Sequence, residues 1–303
     1  MRYTWRTMKI NALTDQVADY LAETKAKRSP ATLEQYESVL ENVWEPWCAE
    51  AGITSSAQIT DKQMDAFTDY LKAKRHRGKP LSPFTLRTYI RSVRIFLTWA
   101  SVPKGRYEAP RKPGKRLRDV LTRAEIQLME DTATDARDKL IVRTLADTGM
   151  RVGELLTLRK DTGLCENAHD RQYWLRVIGK GDRQRDIDVQ PALYRRLKDF
   201  AAHGSPKDCG LIFCGKRRRN DQLVPLTRSG VDQLIRNLGK TAGISKRAYP
   251  HGFRHAYISH MLSKGANLVQ LQDQMGHTSL AMISEAYNQM GIKGRYGQLA
   301  GLL

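Results

Sequence analysis

The amino-acid sequence predicts two domains, the first all-helical and the second mainly helical with a small antiparallel β-sheet, which is an α+β arrangement. The chain has 303 residues and a 41% hydrophobic content, enough for two ordinary cores. Apolar residues such as Val17 and Leu21 recur at helical spacing in the first third. Prolines and glycines between the two parts rule out a long regular element there. We therefore expect a first domain over residues 1–103, a linker over 104–118 and a second domain over 119–303.

An internal repeat marks two helix starts in the first domain. SPATLEQY, residues 29–36, and SPFTLRTY, residues 82–89, share the pattern S-P-x-T-L-x-x-Y. Ser29 and Ser82 can serve as N-caps, with proline at the first helical position, where its missing N–H costs nothing. The pattern therefore predicts a helix beginning directly after each serine.

The second of these helices carries a row of positive charge. Arg87, Arg91 and Arg94 are spaced so that all three lie along one helix face. Such a row is a candidate surface for DNA. Charged rows are also common on solvated helix faces, so spacing alone leaves both interpretations open.

The second domain is predicted to begin with a helix and to contain one hairpin. Thr122 and Glu125 have the spacing of a capping box, and the apolar helix that follows is expected to end at Gly149. The segment YWLRVIGKGDRQRDIDV predicts two strands around a tight turn from which Lys180 projects. From Leu226 onward the pattern is mostly helical.

The net charge of the chain indicates the class of partner. A formal net charge of +19 makes polyanions the expected partners, nucleic acid ahead of a membrane surface. Positive charge is densest in the linker, where Lys112, Lys115 and Arg116 are candidate contacts to a DNA backbone; a solvated basic loop is the alternative. The sequence holds no apolar run of about 18 residues that could span a bilayer and no apolar signal segment at its start. We therefore expect a cytoplasmic protein without a membrane partner.

The stretch PHGFRHAYISHML, residues 250–262, could serve a metal ion or a phosphate. His251 and His255 have the i, i+4 spacing of a zinc helix, but no glutamate lies between them, and the positive charge of Arg254 would repel a cation. A histidine and an arginine one turn apart instead present two donors to one oxyanion. A structural arginine beside a core histidine would explain the pair equally well. We expect no metal site here.

The cysteines show no pattern that predicts a function. Cys48, Cys165, Cys209 and Cys214 lack framework spacing, and the last two have no companion pair to complete a zinc site. We expect them to be buried or free thiols.

Four ordered motifs, TGMRVGEL, IGKGDRQR, HGFRH and MGHTSLAMISEAYNQM, resemble those of the tyrosine recombinase, or phage integrase, family. The S-P-x-T-L-x-x-Y helices resemble the helical core-binding domain of the same family. The resemblance thus covers nearly the whole chain. It implies an integrase-like fold, with a core-type DNA-binding domain followed by a catalytic domain that ends in a short C-terminal tail.

The resemblance also implies a catalytic set, which is Arg151, Lys180, His251, Arg254, His277 and Tyr287, with the acidic residue Glu154 behind the first arginine. The two arginines would stabilise the charge on the nonbridging phosphate oxygens. His251 would take the proton of the nucleophile Tyr287, and Lys180 would protonate the departing 5′ oxygen. His277 would add a hydrogen bond to the phosphate.

The activity implied by the resemblance is site-specific DNA recombination through a 3′-phosphotyrosine, without metal, ATP or another cofactor. A homotetramer would act on double-stranded DNA with paired recombination sites. One alternative function is that of a type IB topoisomerase or a hairpin-forming resolvase, which would use the same chemistry. A test for strand exchange between paired sites distinguishes this alternative from a recombinase. Another alternative is a catalytically silent DNA-binding regulator. Covalent capture on nicked DNA distinguishes an active enzyme from such a regulator.

Overall fold

The computed structural model describes residues 12–103, 105, 110, 119–179 and 184–276. The chain divides into two compact units, residues 1–116 and 117–303, and the division lies inside the segment predicted as the linker. Several residues singled out from the sequence lie outside the described residues: Lys112, Lys115, Arg116, Lys180, His277 and Tyr287.

The first unit is built from helices. They are α1 (Leu13–Lys27), α2 (Pro30–Val39), α3 (Glu45–Glu50), α4 (Asp61–Ala73) and α5 (Pro83–Trp99). A π-helical turn, Leu40–Trp44, joins α2 to α3. A hairpin of two-residue strands, β1 (Arg75–His76) and β2 (Lys79–Pro80), precedes α5 and is the departure from the all-helical prediction among the described residues.

The two repeat helices begin directly after their serines, as predicted. The Ser82 hydroxyl accepts a hydrogen bond from the Thr85 N–H at 3.0 Å, which caps α5. The Ser29 hydroxyl instead shares a hydrogen bond with the hydroxyl of Thr32 at 2.9 Å. The same sequence pattern thus starts both helices, although the caps differ in detail.

Aromatic side chains fill the core of the first unit. Trp44 and Phe67 are fully buried, and their rings meet edge to face with centroids 4.8 Å apart. Trp47 packs on the same phenylalanine ring at 5.1 Å. Ile90 and Phe96 bring the apolar face of α5 into this core. The orientation of α5, and hence of its arginines, follows from this packing.

The second unit combines helices with a small antiparallel sheet. Its helices are α6 (Arg123–Thr132), α7 (Ala136–Thr148), α8 (Val152–Leu156), α9 (Pro191–Asp199), α10 (Arg228–Thr241), α11 (Pro250–Ser263) and α12 (Leu268–Met275). The sheet has the order β3 (Leu164–Asn167), β4 (Gln172–Ile178), β5 (Gln184–Asp188), and a separate hairpin pairs β6 (Arg218–Arg219) with β7 (Gln222–Leu223). The two predicted strands are β4 and β5. Strand β3 and the β6–β7 hairpin were not predicted from the sequence.

The sheet places one arginine against the core. Leu175 pairs with Ile187 across β4 and β5, Val177 pairs with Arg185, and the three apolar side chains are buried. Alternate residues of a strand share a face, so Arg185 lies on the same side of β5 as Ile187. The side chain of Arg185 is accordingly only 13% exposed.

Gly149 ends α7, as predicted. It adopts φ +59°, and its N–H donates to the Leu145 carbonyl at 3.0 Å. A Cβ at this position would lie 2.8 Å from the ring of Tyr257. Both the backbone conformation and the close neighbour therefore require glycine.

The pair Cys209 and Cys214 corrects the expectation of free thiols. The chain between them folds back so that their Cα atoms lie 6.8 Å apart, and the two sulfurs form a disulfide. Sequence spacing gave no sign of this turn. Cys48 and Cys165 are free cysteines, and burial, aided by the charge of Glu45, raises the pKa of the Cys48 thiol to about 12.

Within the described part of the chain, no helix is both long enough and apolar enough to cross a membrane.

We predict that Gly149→Ala destabilises the second unit more than Gly243→Ala does. Gly243 also has positive φ, +69°, but a Cβ added there would meet no atom within 4 Å. The control should therefore lose about 1–2 kcal/mol from the left-handed backbone alone. Gly149→Ala should lose about 1–3 kcal/mol more, because the ring of Tyr257 must move. Urea unfolding of both variants measures the difference, and equal losses would show that the ring contact does not matter.

Candidate active site

Three segments distant in sequence meet at the site. Arg151 is the N-cap residue of α8, and Glu154 lies in the first turn of that helix. His251 and Arg254 lie near the start of α11, which begins at Pro250. The third segment is the end of α12, immediately before His277 in the sequence.

Glu154 holds Arg151 at two points. One carboxylate oxygen accepts from the Arg151 backbone N–H at 2.7 Å, and the other accepts from its Nη1 at 2.9 Å. The first bond caps a helix N-terminus with a carboxylate, which the helix dipole also favours. Glu154 is 2% exposed, whereas the Arg151 side chain is 42% exposed. The two bonds hold the backbone and one nitrogen of Arg151 in place, and the exposed part of its guanidinium remains within reach of a ligand.

Arg185 of β5 binds both oxygens of the same carboxylate. Its Nε donates to Oε1 of Glu154 at 3.2 Å, and its Nη2 donates to Oε2 at 2.8 Å. This is the paired geometry that a guanidinium and a carboxylate prefer. Glu154 therefore accepts four hydrogen bonds, about as many as its lone pairs allow.

Arg254 is buried and bridges the ends of two helices. Its Nη1 donates to the carbonyl of Gly149 at 2.9 Å, and its Nη2 donates to the carbonyl of Met275 at 2.7 Å. The residue is only 1% exposed.

Three successive carbonyls at the end of α12 each accept a hydrogen bond from a different arginine. Gln274 accepts from Nη1 of Arg185, Met275 from Arg254 and Gly276 from Nη2 of Arg151 at 3.3 Å. The last carbonyls of a helix have no partner within it and carry partial negative charge. The end of α12 thus gathers three positive side chains.

Burial and charge act in opposite directions on the pKa of Glu154. Burial alone would raise the pKa of this carboxyl. Hydrogen bonds to Arg185 and Arg151, and the charge of Arg185, outweigh burial and hold the pKa of Glu154 below its ordinary value. Glu154 is therefore a stable countercharge for the arginines.

The environment of Arg254 disfavours its charge. Burial, followed by repulsion from Arg151, lowers the pKa of Arg254 to about 9, although Glu154 partly offsets this. An additional anion beside these two arginines would relieve the repulsion. The site is therefore suited to a phosphate.

His251 is exposed, and His255 one turn later is buried. Their rings pack edge to face with centroids 4.8 Å apart. The buried ring packs against the exposed one and limits its freedom to move. Among the described residues, no group of three or more His, Cys, Asp or Glu side chains could hold a metal ion.

The basic row of α5 lies at the surface of the first unit. Arg91 is exposed, and Arg87 and Arg94 are partly exposed. With Ile90, Ile95 and Thr98 they line an open pocket of about 230 Å³. Nη1 of Arg87 donates to the carbonyl of Pro110, inside the segment predicted as the linker, at 2.6 Å.

Arg185 and the role of the α12 carbonyls were not predicted from the sequence. Arg185 belongs to the motif IGKGDRQR, in which the turn lysine was the predicted site residue. Its place two residues before the apolar Ile187 in a strand was a usable signal, because that spacing puts it on the core side. The carbonyls gave no signal, since any sequence supplies them.

Both units of the chain are similar in sequence to known protein families. Residues 12–102 match the phage integrase SAM-like domain, and residues 119–291 match the Phage integrase family. Tyrosine recombinase XerD of Listeria innocua serovar 6a is 27% identical over 248 residues, which cover 75% of this chain and 79% of that protein.

Two solved structures share the fold. The integrase of transposon Tn1549, in complex with transposon right end DNA, has a TM-score of 0.68 at 15% identity and covers 96% of this chain and 99% of its own. A lambda integrase tetramer bound to a Holliday junction has a TM-score of 0.63 at 18% identity and covers 88% of this chain and 78% of its own.

The fold and the arginine-rich site define a two-domain integrase-like protein. The chain belongs to the phage integrase family, because the family match spans more than half of it. It is a site-specific recombinase, an enzyme that cleaves and rejoins DNA strands. The resemblance seen in the sequence and the predicted fold class are confirmed.

We predict that Glu154→Gln lowers the free energy of unfolding at neutral pH and that the loss shrinks in acid. A carboxyl whose folded-state pKa is depressed stabilises the protein above its unfolded-state pKa, and this contribution disappears as the pH falls through the folded-state pKa. Urea unfolding at a series of pH values measures the gap between variant and wild type.

Glu166→Gln is the control for this prediction. It removes an ion pair with Lys198 whose side chains are 37% and 58% exposed. Exposed pairs contribute little, so we expect a loss of less than about 1 kcal/mol. A gap for Glu154→Gln that stayed constant down to acid pH would contradict the assigned charge compensation.

Proposed function

We propose that the enzyme cuts one DNA strand by attack of the Tyr287 hydroxyl on a phosphodiester, which frees the 5′ oxygen and forms a 3′-phosphotyrosine. A 5′ hydroxyl from a second site then attacks the phosphorus, which rejoins the strand and releases the tyrosine. Each step exchanges one phosphate ester for another, so the bond energy is conserved. Neither ATP nor a metal ion is then needed.

The observation that carries this proposal is the meeting of Arg151 and Arg254 at the carbonyls directly before His277. In the transfer step, negative charge grows on the nonbridging oxygens, and fixed guanidinium groups stabilise it without reorganising. Exposed Arg151 contacts the phosphate first in this scheme, and buried Arg254 lies behind it.

The remaining roles are proton transfers and one phosphate contact. Exposed His251 takes the proton of Tyr287 during attack, because a protonated phenol is a poor nucleophile. Lys180 gives a proton to the departing 5′ oxygen. His277 donates a hydrogen bond to the phosphate.

The first domain and the linker hold the DNA in this proposal. Arg87, Arg91 and Arg94 present a basic row on α5, and Lys112, Lys115 and Arg116 add charge in segment 104–118. Contacts of this kind fix the position of the duplex and release counterions, so binding weakens as salt rises. The domain boundaries proposed here are those predicted from the sequence, 1–103, 104–118 and 119–303.

We further propose a homotetramer that acts on double-stranded DNA with paired recombination sites in the cytoplasm. The lambda integrase tetramer bound to a Holliday junction supports this assembly. A net charge of +19 suits a DNA partner. Exchange between two labelled sites tests the pairing, and relaxation of a supercoil without exchange would argue for a topoisomerase instead.

We predict that Tyr287→Phe abolishes covalent capture on nicked DNA and leaves DNA affinity nearly unchanged, because only a hydroxyl is lost. A nicked substrate traps the phosphotyrosine, which denaturing gel electrophoresis detects. Capture by the wild-type enzyme should persist in excess chelator. Tyr296→Phe is the matched control and should still attach. Capture that mapped to Tyr296 would overturn the assignment of the nucleophile.

We predict that Lys180→Ala slows cleavage about 10²- to 10⁴-fold on ordinary DNA, the usual contribution of a general acid. Cleavage should recover on DNA with a 5′-bridging sulfur, because a thiolate leaves without a proton. Arg151→Ala and Arg254→Ala should stay slow on both substrates, since the nonbridging oxygens still need stabilisation. Equal impairment of Lys180→Ala on the two substrates would make it a phosphate contact and not the acid.

A further inference from the structure

We propose that Arg185 is a positioning residue for DNA cleavage, which holds the Glu154–Arg151 pair and the end of α12 in one arrangement. The inference rests on the proposed function for its assay. Arg185 touches neither the substrate nor the reacting atoms in this proposal. It acts through the residues that do.

The first contact of Arg185 is the carboxylate that orients Arg151. Two parallel N–H donors of Arg185 meet the two oxygens of Glu154 at 3.2 and 2.8 Å. A carboxylate held in this way cannot rotate freely. Because the same carboxylate accepts a hydrogen bond from Nη1 of Arg151, the direction of the Arg151 guanidinium depends on Arg185.

The second contact of Arg185 is the end of α12. Its Nη1 donates to the carbonyl of Gln274. The Gln274 side chain in turn donates to the Asp188 carbonyl at 3.0 Å and accepts from the Asp188 N–H at 3.3 Å. Strand β5 is therefore joined to α12 by both a guanidinium and an amide. Only Met275 and Gly276 separate Gln274 from His277 in the sequence.

Close packing keeps Arg185 in this place. A Cβ on Gly276, which has φ +64°, would lie 2.6 Å from Cδ and 2.8 Å from Nε of Arg185. The stem of the arginine thus occupies the space that a side chain at position 276 would need. Arg185 also shares a face of β5 with the buried Ile187.

The charged groups around Glu154 make its ionisation sensitive to Arg185. Arg151 of α8, Arg185 of β5 and Arg254 of α11 all act on this carboxylate, and Arg228 of α10 lies against Gly153 beside it. Removing Arg185 takes away the strongest opposition to burial. The pKa of Glu154 should then rise, so the carboxylate should be lost at a higher pH.

The test compares Arg185→Gln and Arg185→Lys with Arg176→Ala. Arg176 lies on the neighbouring strand β4 and donates two hydrogen bonds to the carboxylate of Asp186, both at 3.0 Å. This ion pair has the same two-bond geometry as Arg185 with Glu154, but it is exposed. Each variant is checked for folding by thermal unfolding and for affinity to nicked DNA. The rate of covalent capture is then measured across pH.

We expect Arg185→Gln to bind DNA normally and to cleave about 10²-fold more slowly, the cost of misplacing a reacting group by about 1 Å. The acid limb of its pH–rate profile should move to higher pH. Arg185→Lys keeps the positive charge but loses the two parallel N–H donors of the guanidinium. It should show an intermediate rate and a smaller movement of the acid limb. Arg176→Ala should match the wild type in both.

Folded Arg185→Gln or Arg185→Lys that cleaved like Arg176→Ala, with an unchanged acid limb, would overturn the inference. If Arg185→Gln fails to fold, Arg185→Lys alone decides. Failure of the proposed function looks different, because the wild-type enzyme would then give no covalent capture through Tyr287.

Discussion

The second unit depends on one compensation of charge. Three guanidinium groups, of Arg151, Arg185 and Arg254, meet around the carboxylate of Glu154 and the last carbonyls of α12. Taking a charge out of water costs several kcal/mol per buried ion unless hydrogen bonds and opposite charge offset the loss. Glu154 supplies the one full negative charge among these groups, and the helix end supplies partial charge. Hydrogen bonds of charged side chains therefore connect strand β5 with helices α8 and α12, and helix α11 with α12, in addition to the packing of apolar faces.

Two glycines make this compensation possible. Gly149 ends α7 and Gly276 ends α12, both with positive φ, and each turns its own carbonyl toward an arginine. Arg254 thus sits where the negative ends of two helix dipoles converge. A residue with a Cβ at either position would collide with a neighbour, with Tyr257 at one and with Arg185 at the other. The helix stops are part of the site and not merely the ends of secondary structure.

What the sequence could predict follows from the range of the interactions. Helix starts after Ser29 and Ser82 and the stop at Gly149 depend on residues close in sequence, and local pattern predicts them. The placement of Glu154 beside Arg151, also one turn apart, was implied by the resemblance. The disulfide, strand β3 and the bonds of Arg185 depend on how distant segments meet. Arg185 reaches Glu154 across 31 residues and Gln274 across 89. No local period encodes which partners such a residue meets, so resemblance pointed to Arg151 and Arg254 while the contacts of Arg185 were not predicted.

The remaining imbalance of charge suits the reaction. Three guanidinium groups against one carboxylate leave a net positive charge on these described residues, and burial together with repulsion from Arg151 lowers the pKa of Arg254. A bound phosphodiester brings one negative charge, and the five-coordinate state of phosphoryl transfer spreads additional negative charge over its nonbridging oxygens. Relief of repulsion is then greater in the transition state than in the bound substrate, which is the condition for a faster reaction and not only for tighter binding. The positive charge that is costly in the free site is therefore suited to the reaction proposed for it.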